Sequence, residues 1–131
     1  MKHEPTLHLL FNHTLTPSQE ADAFESLAIG NITYFPDELL GIWKSIPPEE
    51  QHIKKMLSSI YVYLKQSCQK GDYILIQGDA GATYLLVQEA FTLGLIPVYA
   101  TTKRISVEKM IDAKQVKTSV FEHSIFRKYG A

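Results

Sequence analysis

Residues 73–100 read YILIQ, GDAGAT, YLLVQEAFT, LGLIPVYA. An apolar run from Tyr73 to Ile76 leads into Gln77-Gly78-Asp79-Ala80-Gly81-Ala82-Thr83. Tyr84 to Leu93 is then apolar on most sides and stops at Gly94, and Ile96 to Ala100 is a second apolar run. The order is strand, glycine turn, buried helix, strand. Strands that alternate with helices build a parallel sheet with helices on both faces. Pro97 lacks an N–H, which predicts a place at a strand start or beside an edge.

The same alternation extends toward the N-terminus. Thr6 to Phe11 is a short run of strand formers, and Ile32 to Phe35 is another. Between them Thr16, Pro17 and Gln19 mark a helix start with a capping box. Ala21, Phe24, Leu27 and Ala28 follow at helical spacing, and Gly30 or Asn31 closes the helix. Pro36-Asp37-Glu38 opens a helical turn carrying Leu39, Leu40, Ile42 and Trp43. Pro47-Pro48-Glu49-Glu50 opens the longest predicted helix. In it Ile53, Met56, Leu57, Ile60, Tyr61, Leu64 and Cys68 share one face, and Gly71 caps the end.

Toward the C-terminus the period changes to two. Ile105, Val107 and Lys109 alternate with Ser106, Glu108 and Met110. After a turn at Asp112-Ala113-Lys114, Val116, Thr118 and Val120 alternate with Lys117, Ser119 and Phe121. That pattern predicts a β-hairpin. The expected order is βαβααβαβ followed by the hairpin. One domain spans 1–131, with the hairpin and tail at about 102–131.

Composition narrows the classes of function. The chain has 131 residues, 45% hydrophobic and 21% charged, with thirteen Lys and Arg against fourteen Asp and Glu. Wholesale disorder is excluded by that apolar content at near-zero net charge. Coating of long nucleic acid by bulk positive charge is excluded too, so a polyanion must meet a local patch. The single Cys68 excludes an intramolecular disulfide and any multi-cysteine zinc motif. No apolar run approaches the roughly eighteen residues of a membrane span. Met1 to Pro5 does not read as a signal peptide, so the expected setting is the cytoplasm.

In an open α/β sheet, ligands bind beyond the carboxyl ends of the strands. Three polar segments fall there: Asn12-His13-Thr14, Gln77 to Thr83, and Thr101-Thr102-Lys103-Arg104. Gly78 and Gly81 allow a tight turn and a close backbone approach, and a helix start offers N–H groups to phosphate. The segment is neither a Walker loop nor a GxGxxG fingerprint, and a plain turn capped by Asp79 is the alternative. His13 has the chemistry of an acid or base near neutral pH, or it orders its loop. Lys103 and Arg104 can hold phosphate, or form a solvated pair at the hairpin base. Neighbouring residues of a strand point to opposite faces, so at most one of the two reaches a ligand while the strand continues. Thr14, Asn12, Thr101 and Thr102 can position a sugar or phosphate, or cap turns.

His3, His8 and His13 do not have zinc spacing, so no metal or cofactor is expected. Cys68, on an apolar helix face, reads as a buried inert thiol. The tail Phe126-Arg127-Lys128-Tyr129 is a contact or a mobile charged end.

Three segments together resemble a known family: Leu9 to Thr16, Gln77 to Tyr84, and Ile96 to Arg104. Over about Leu7 to Tyr129 the chain is similar to the Csx-twenty family, CRISPR-associated accessory proteins of type III systems. The resemblance implies a Rossmann-like (CARF-like) fold, a homodimer and a ring nuclease that cleaves cyclic oligoadenylate, cyclic tetra-adenylate being favoured. A two-fold dimer matches an even-membered ring and doubles each protomer's few cations. The implied reaction is metal-independent. His13 moves a proton, and Lys103 or Arg104 stabilises charge on phosphorus. Gly78, Gly81 and Thr83, with Ala82 beside them, cradle phosphate. Asn12, Thr14, Thr101 and Thr102 position the ribose or adenine. Asp79 caps or binds ribose, since a carboxylate repels phosphate. A binder that sequesters the ring uncut, or an adaptor that docks a protein through the hairpin, are the alternatives.

Overall fold

The computed structural model describes residues 4–131. Residues 1–3, which include His3 of the histidine series and the start of the Met1 to Pro5 segment read as no signal peptide, lie outside the described part. Strands β1 (Thr6–Phe11), β2 (Asn31–Tyr34), β3 (Tyr73–Gln77), β4 (Ile96–Ile111) and β5 (Lys114–Lys128) form one sheet in the order β2-β1-β3-β4-β5. The first four are parallel, and β5 runs antiparallel to β4. Helices α1 (Pro17–Ser26), α2 (Asp37–Trp43), α3 (Ser58–Ser67) and α4 (Ala80–Thr92) connect them. The mixed α/β architecture and the C-terminal hairpin agree with the sequence reading.

Alternation along the strands divides the core into two layers. Leu7 and Leu9 of β1, Leu75 of β3 and Val98 of β4 meet Ala23 and Leu27 at α1 on one face. Leu10, Ile74 and Ile76 meet α2, α3 and α4 on the other, through Trp43, Ile60, Leu64 and Leu86. Burial on both faces makes β1 and β3 nearly continuous apolar runs, as parallel strands require. Each fully buried Leu or Ile contributes about 1.5–3 kcal/mol. These two layers therefore carry the stability.

The predicted start of α1 is present in full. Thr16 Oγ1 accepts from the Gln19 amide, and the Thr16 amide donates back to Gln19 Oε1. The helix ends at Ser26, earlier than Gly30, with Ala28 taking φ +51° just beyond it. The strand-end asymmetry is also built locally. At the N-terminal edge of the sheet, buried Asp72 accepts from the Thr6 amide, the Gln69 amide and His8 Nε2.

Three expectations are corrected. The long helix from Pro47 is replaced by turns through Lys54, a 3-10 turn at Lys55–Leu57 and the shorter α3. Ile53 and Met56 still pack on the core, but from irregular backbone. Cys68 lies past the helix in extended backbone, half-buried, its thiol pushed up to about 12 by burial and by the Asp72 charge. Second, the helix after β3 begins at Ala80, four residues before Tyr84, because Asp79 caps it and accepts from the Ala82 amide.

Third, the hairpin is not an appendage following a finished strand. β4 passes from the sheet into the arm without a break, and β5 returns far enough to pair Lys128 with Val98. The tail Phe126-Arg127-Lys128 is thus part of the sheet rather than a loose end. Pro97, the second residue of β4, sits between β3 and β5. Only Ile96 to Val98 of β4 pair with β3, so the rest of the arm stands beyond the parallel sheet.

Candidate functional site

Register brings the three polar segments to one rim. Phe11 pairs with Gln77, so the chain leaves β1 at Asn12 beside the exit of β3 at Gly78. Gln77 also reaches across to β4, where its Oε1 accepts from the Ala100 amide at 2.9 Å. Asn12, Gly78 and Thr101 therefore follow three neighbouring strand ends. Between β1 and β3 the connections part: β1 leads outward to β2, and β3 leads the other way to β4. Such a switch point leaves a crevice for ligands.

The rim has two sides, set by the sheet. On the α4 side lies a cleft of about 250 Å³ lined by Gln77, Gly78, Ala80, Thr83, Tyr99 and Tyr129. Thr83 Oγ1 is buried there without a hydrogen-bond partner. Tyr129 closes the cleft, its hydroxyl donating to the Ile76 carbonyl at 2.6 Å. Tyr99 packs against Tyr129 at 4.7 Å between centroids. Arg127 Nη1 donates to the Tyr99 hydroxyl at 2.8 Å, with the guanidinium over the ring. Burial raises the Tyr129 phenol, and Tyr99 adds to the shift, so Tyr129 stays a neutral donor.

The glycine segment divides its roles differently from the expected cradle. A Cβ on Gly78 would fall 2.6 Å from Trp43 Nε1, and Trp43 donates to the Gln77 carbonyl at 2.9 Å. Gly78 is thus required by the indole behind it, and its backbone also lines the cleft in front. Gly81 is exposed and has no such neighbour closer than 3.5 Å. The Ala82 amide is taken by Asp79, its side chain is buried in the core, and the Thr83 amide bonds the Asp79 carbonyl. Ala80 and Gly81 hold the N–H groups of the helix start that remain for an anion. Asp79 acts as a cap, one of the two roles expected of it.

On the α1 side, His13 is exposed and rests edge-on against Phe11 at 5.4 Å. Asn12 and Thr14 are exposed beside it. Thr101 sits at an irregularity where β5 carries an extra residue, between the pairs Ala100–Phe126 and Thr102–His123. Its hydroxyl donates to the Ile125 carbonyl and accepts from the Ile125 amide, both at 3.1 Å. That is the turn-capping alternative, and it leaves Thr101 little freedom to hold a ribose. Thr102, exposed, pairs with His123.

Lys103 and Arg104 remain in the strand and pair with Glu122 and Phe121. Alternation from Tyr99 sets Lys103 on the α4 side, above the cleft, and Arg104 on the α1 side. Arg104 Nε donates to Ser119 Oγ at 2.9 Å. The two cations therefore do not converge.

Sequence reasoning missed a second group of residues. His123 Nε2 lies 2.7 Å from Asp22 Oδ2 and fastens the base of the arm to α1. A hydrogen bond from Ser26, then those from His123 and its charge, outweigh partial burial and hold Asp22 below the usual carboxylate value. Nothing in the sequence signals that pair, whose members are 101 residues apart. Arg127 belongs to the tail that the sequence singled out, but its side of the sheet was not legible, because the extra residue of β5 between His123 and Phe126 breaks the period-two alternation. Among the described residues no group of His, Cys, Asp and Glu is arranged to hold a metal ion. No helix among them is long and apolar enough to cross a membrane.

The model of the Uncharacterized protein MJ1673 family matches residues 5–127 of the chain. A Methanocaldococcus jannaschii protein described as Uncharacterized protein MJ1673 is 42% identical over 126 residues, 96% of this chain and 98% of the relative. No solved structure matches. Neither name carries an activity or a ligand.

Proposed function

We propose a function for a chain that belongs to the Uncharacterized protein MJ1673 family: it binds a cyclic oligoadenylate at the rim and cleaves it as a ring nuclease. The observation that carries this reading is the meeting of three strand exits at the switch point, locked by the Gln77–Ala100 hydrogen bond. The strand order 2-1-3-4-5 supports a Rossmann-like, CARF-like assignment of the fold. The resemblance to the Csx-twenty family supports the choice of ligand, with cyclic tetra-adenylate the ring to test first. The role is to end type III CRISPR signalling.

The reaction uses the ligand's own nucleophile. A ribose 2′-oxygen attacks the adjacent phosphorus as the bond from phosphorus to the 5′-oxygen breaks. The 2′-hydroxyl proton leaves to a base, and the 5′-oxygen takes up a proton. The products are a 2′,3′-cyclic phosphate and a 5′-hydroxyl, with no metal or outside water consumed. Orientation of ribose and phosphate contributes roughly 7–11 kcal/mol in favourable cases. His13 serves one of the two proton transfers. From the cleft side of the rim, opposite His13, Lys103 stabilises the developing charge, and the Ala80 and Gly81 amides hold phosphate. Tyr99 and Tyr129 offer adenine an aromatic wall.

A second reading has its own observation. No carboxylate or other hydrogen-bond partner orients His13 among the described residues, so its imidazole is not preset for proton transfer. A protein that sequesters the ring uncut fits that arrangement. Incubation with cyclic tetra-adenylate in EDTA, followed by product separation, decides between them. The nuclease gives linear products ending in 2′,3′-cyclic phosphate, and His13→Ala slows it about 100-fold or more. Intact ring bound tightly after many equivalents assigns sequestration. Absence of any affinity for the ring removes both readings and leaves the adaptor.

A further inference from the structure

A groove between α3 and α4 is larger than the rim cleft, at about 810 Å³, and shares no lining residue with it. Lys54, Lys55 and Lys65 line it, together with Tyr61, Tyr84 and Glu89. We propose that this groove binds single-stranded nucleic acid, one or two nucleotides at a time, independently of the rim.

Charge is the first argument. The ion pairs among the described residues are both His–Asp pairs, so none of these lysines lies within 4 Å of a carboxylate. Three cations line one groove whose single acid is Glu89. Glu89 is felt instead by Tyr61, whose phenol is raised by burial first and by that charge second. A phosphate in the groove would relieve the repulsion among the lysines.

Shape is the second. Lys65 of α3 and Lys55, in the 3-10 turn before it, line the groove with Ser58 between them, and Ser58 to Lys65 alone covers about 10 Å at helical rise. One inorganic phosphate fills only part of that length, whereas a short phosphodiester can run along it. The volume also falls in the ordinary range of ligand sites, about 300–1,000 Å³.

The aromatic residues choose among anions. Tyr84 is 65% exposed, a large ring left in water at the mouth of the groove. Tyr61 is half-buried in the opposite wall. Cations tracking a backbone with rings for the bases is the pattern of single-strand binding. An acidic peptide would use the lysines and leave the rings idle.

The test is fluorescence anisotropy of 5′-fluorescein-labelled hexauridylate RNA, a probe without adenine. Binding that weakens as salt rises is expected, because each phosphate contact releases counterions. Lys54→Gln, Lys55→Gln and Lys65→Gln together should weaken it at least tenfold, and Tyr84→Ala several-fold. The same three positions changed to Arg should keep it, which separates lost charge from lost structure. No binding by the wild-type chain, or unchanged affinity in the triple Gln variant, overturns the proposal. Displacement of the RNA by polyglutamate as readily as by unlabelled RNA overturns it in favour of an acidic peptide.

Discussion

Asp72 accepts three hydrogen bonds at the end of the sheet opposite the rim, from Thr6, Gln69 and His8. Burial pushes its carboxyl up, but the Gln69 amide, the His8 ring and the Thr6 amide together outweigh that and hold it low. Its contribution is therefore present above the ordinary value of 3.8 and is lost as pH falls through the depressed folded value. Asp72→Ala should cost about 3 kcal/mol at neutral pH, since it strands two amides and a buried imidazole. Urea denaturation measures this, and the difference between variant and parent should shrink in strong acid. A difference equally large at both pH values would show that Asp72 acts by packing alone. At Gly78 the residue-scale lesson is different. Glycine in a loop at a strand end suggests ligand approach, yet here it makes room for Trp43. A motif alone could not separate those two uses, because the indole arrives from another helix.

At the scale of elements, the arm shows what local pattern can and cannot specify. Period two from Ile105 to Val120 was legible and is present. Its continuity with β4 was not, because an apolar strand and a polar extension look like two elements in sequence. The tight turn places Asp112 at φ +50° and Ala113 at φ +63°. Two-residue hairpin turns prefer Asp-Gly there, since a Cβ is strained at positive φ. Ala113→Gly should therefore stabilise the arm by a few tenths to about 1 kcal/mol. Slower amide hydrogen exchange in residues 105–120 would register it, and faster exchange would contradict it. The false long helix from Pro47 teaches the reverse. Ile53 and Met56 have helical spacing, and they do reach the core, but through turns. Spacing reports which side chains are buried and is silent about the backbone path that buries them.

For the whole molecule, the proposed ligand imposes a symmetry that one chain lacks. Each copy brings one rim with a few cations on separate sides of the sheet, Lys103 and Arg127 on one and Arg104 on the other. A ring with two-fold symmetry would use two such rims. Sedimentation with cyclic tetra-adenylate should then give twice the 14.8 kDa chain mass. A ring held by one copy at 14.8 kDa would remove the symmetric reading while leaving binding intact. The sequence by itself determined the alternation of strands and helices, the capped start of α1, and three polar segments bound for one rim. Those are local matters of periodicity, caps and turn chemistry. Tertiary structure alone decided that Lys103 and Arg104 part company, that Gly78 serves Trp43, and that Tyr129 and Arg127 return to the rim. It also joined His123 to Asp22. Each of these depends on strand register and on pairings across the chain, and no window of sequence holds both partners.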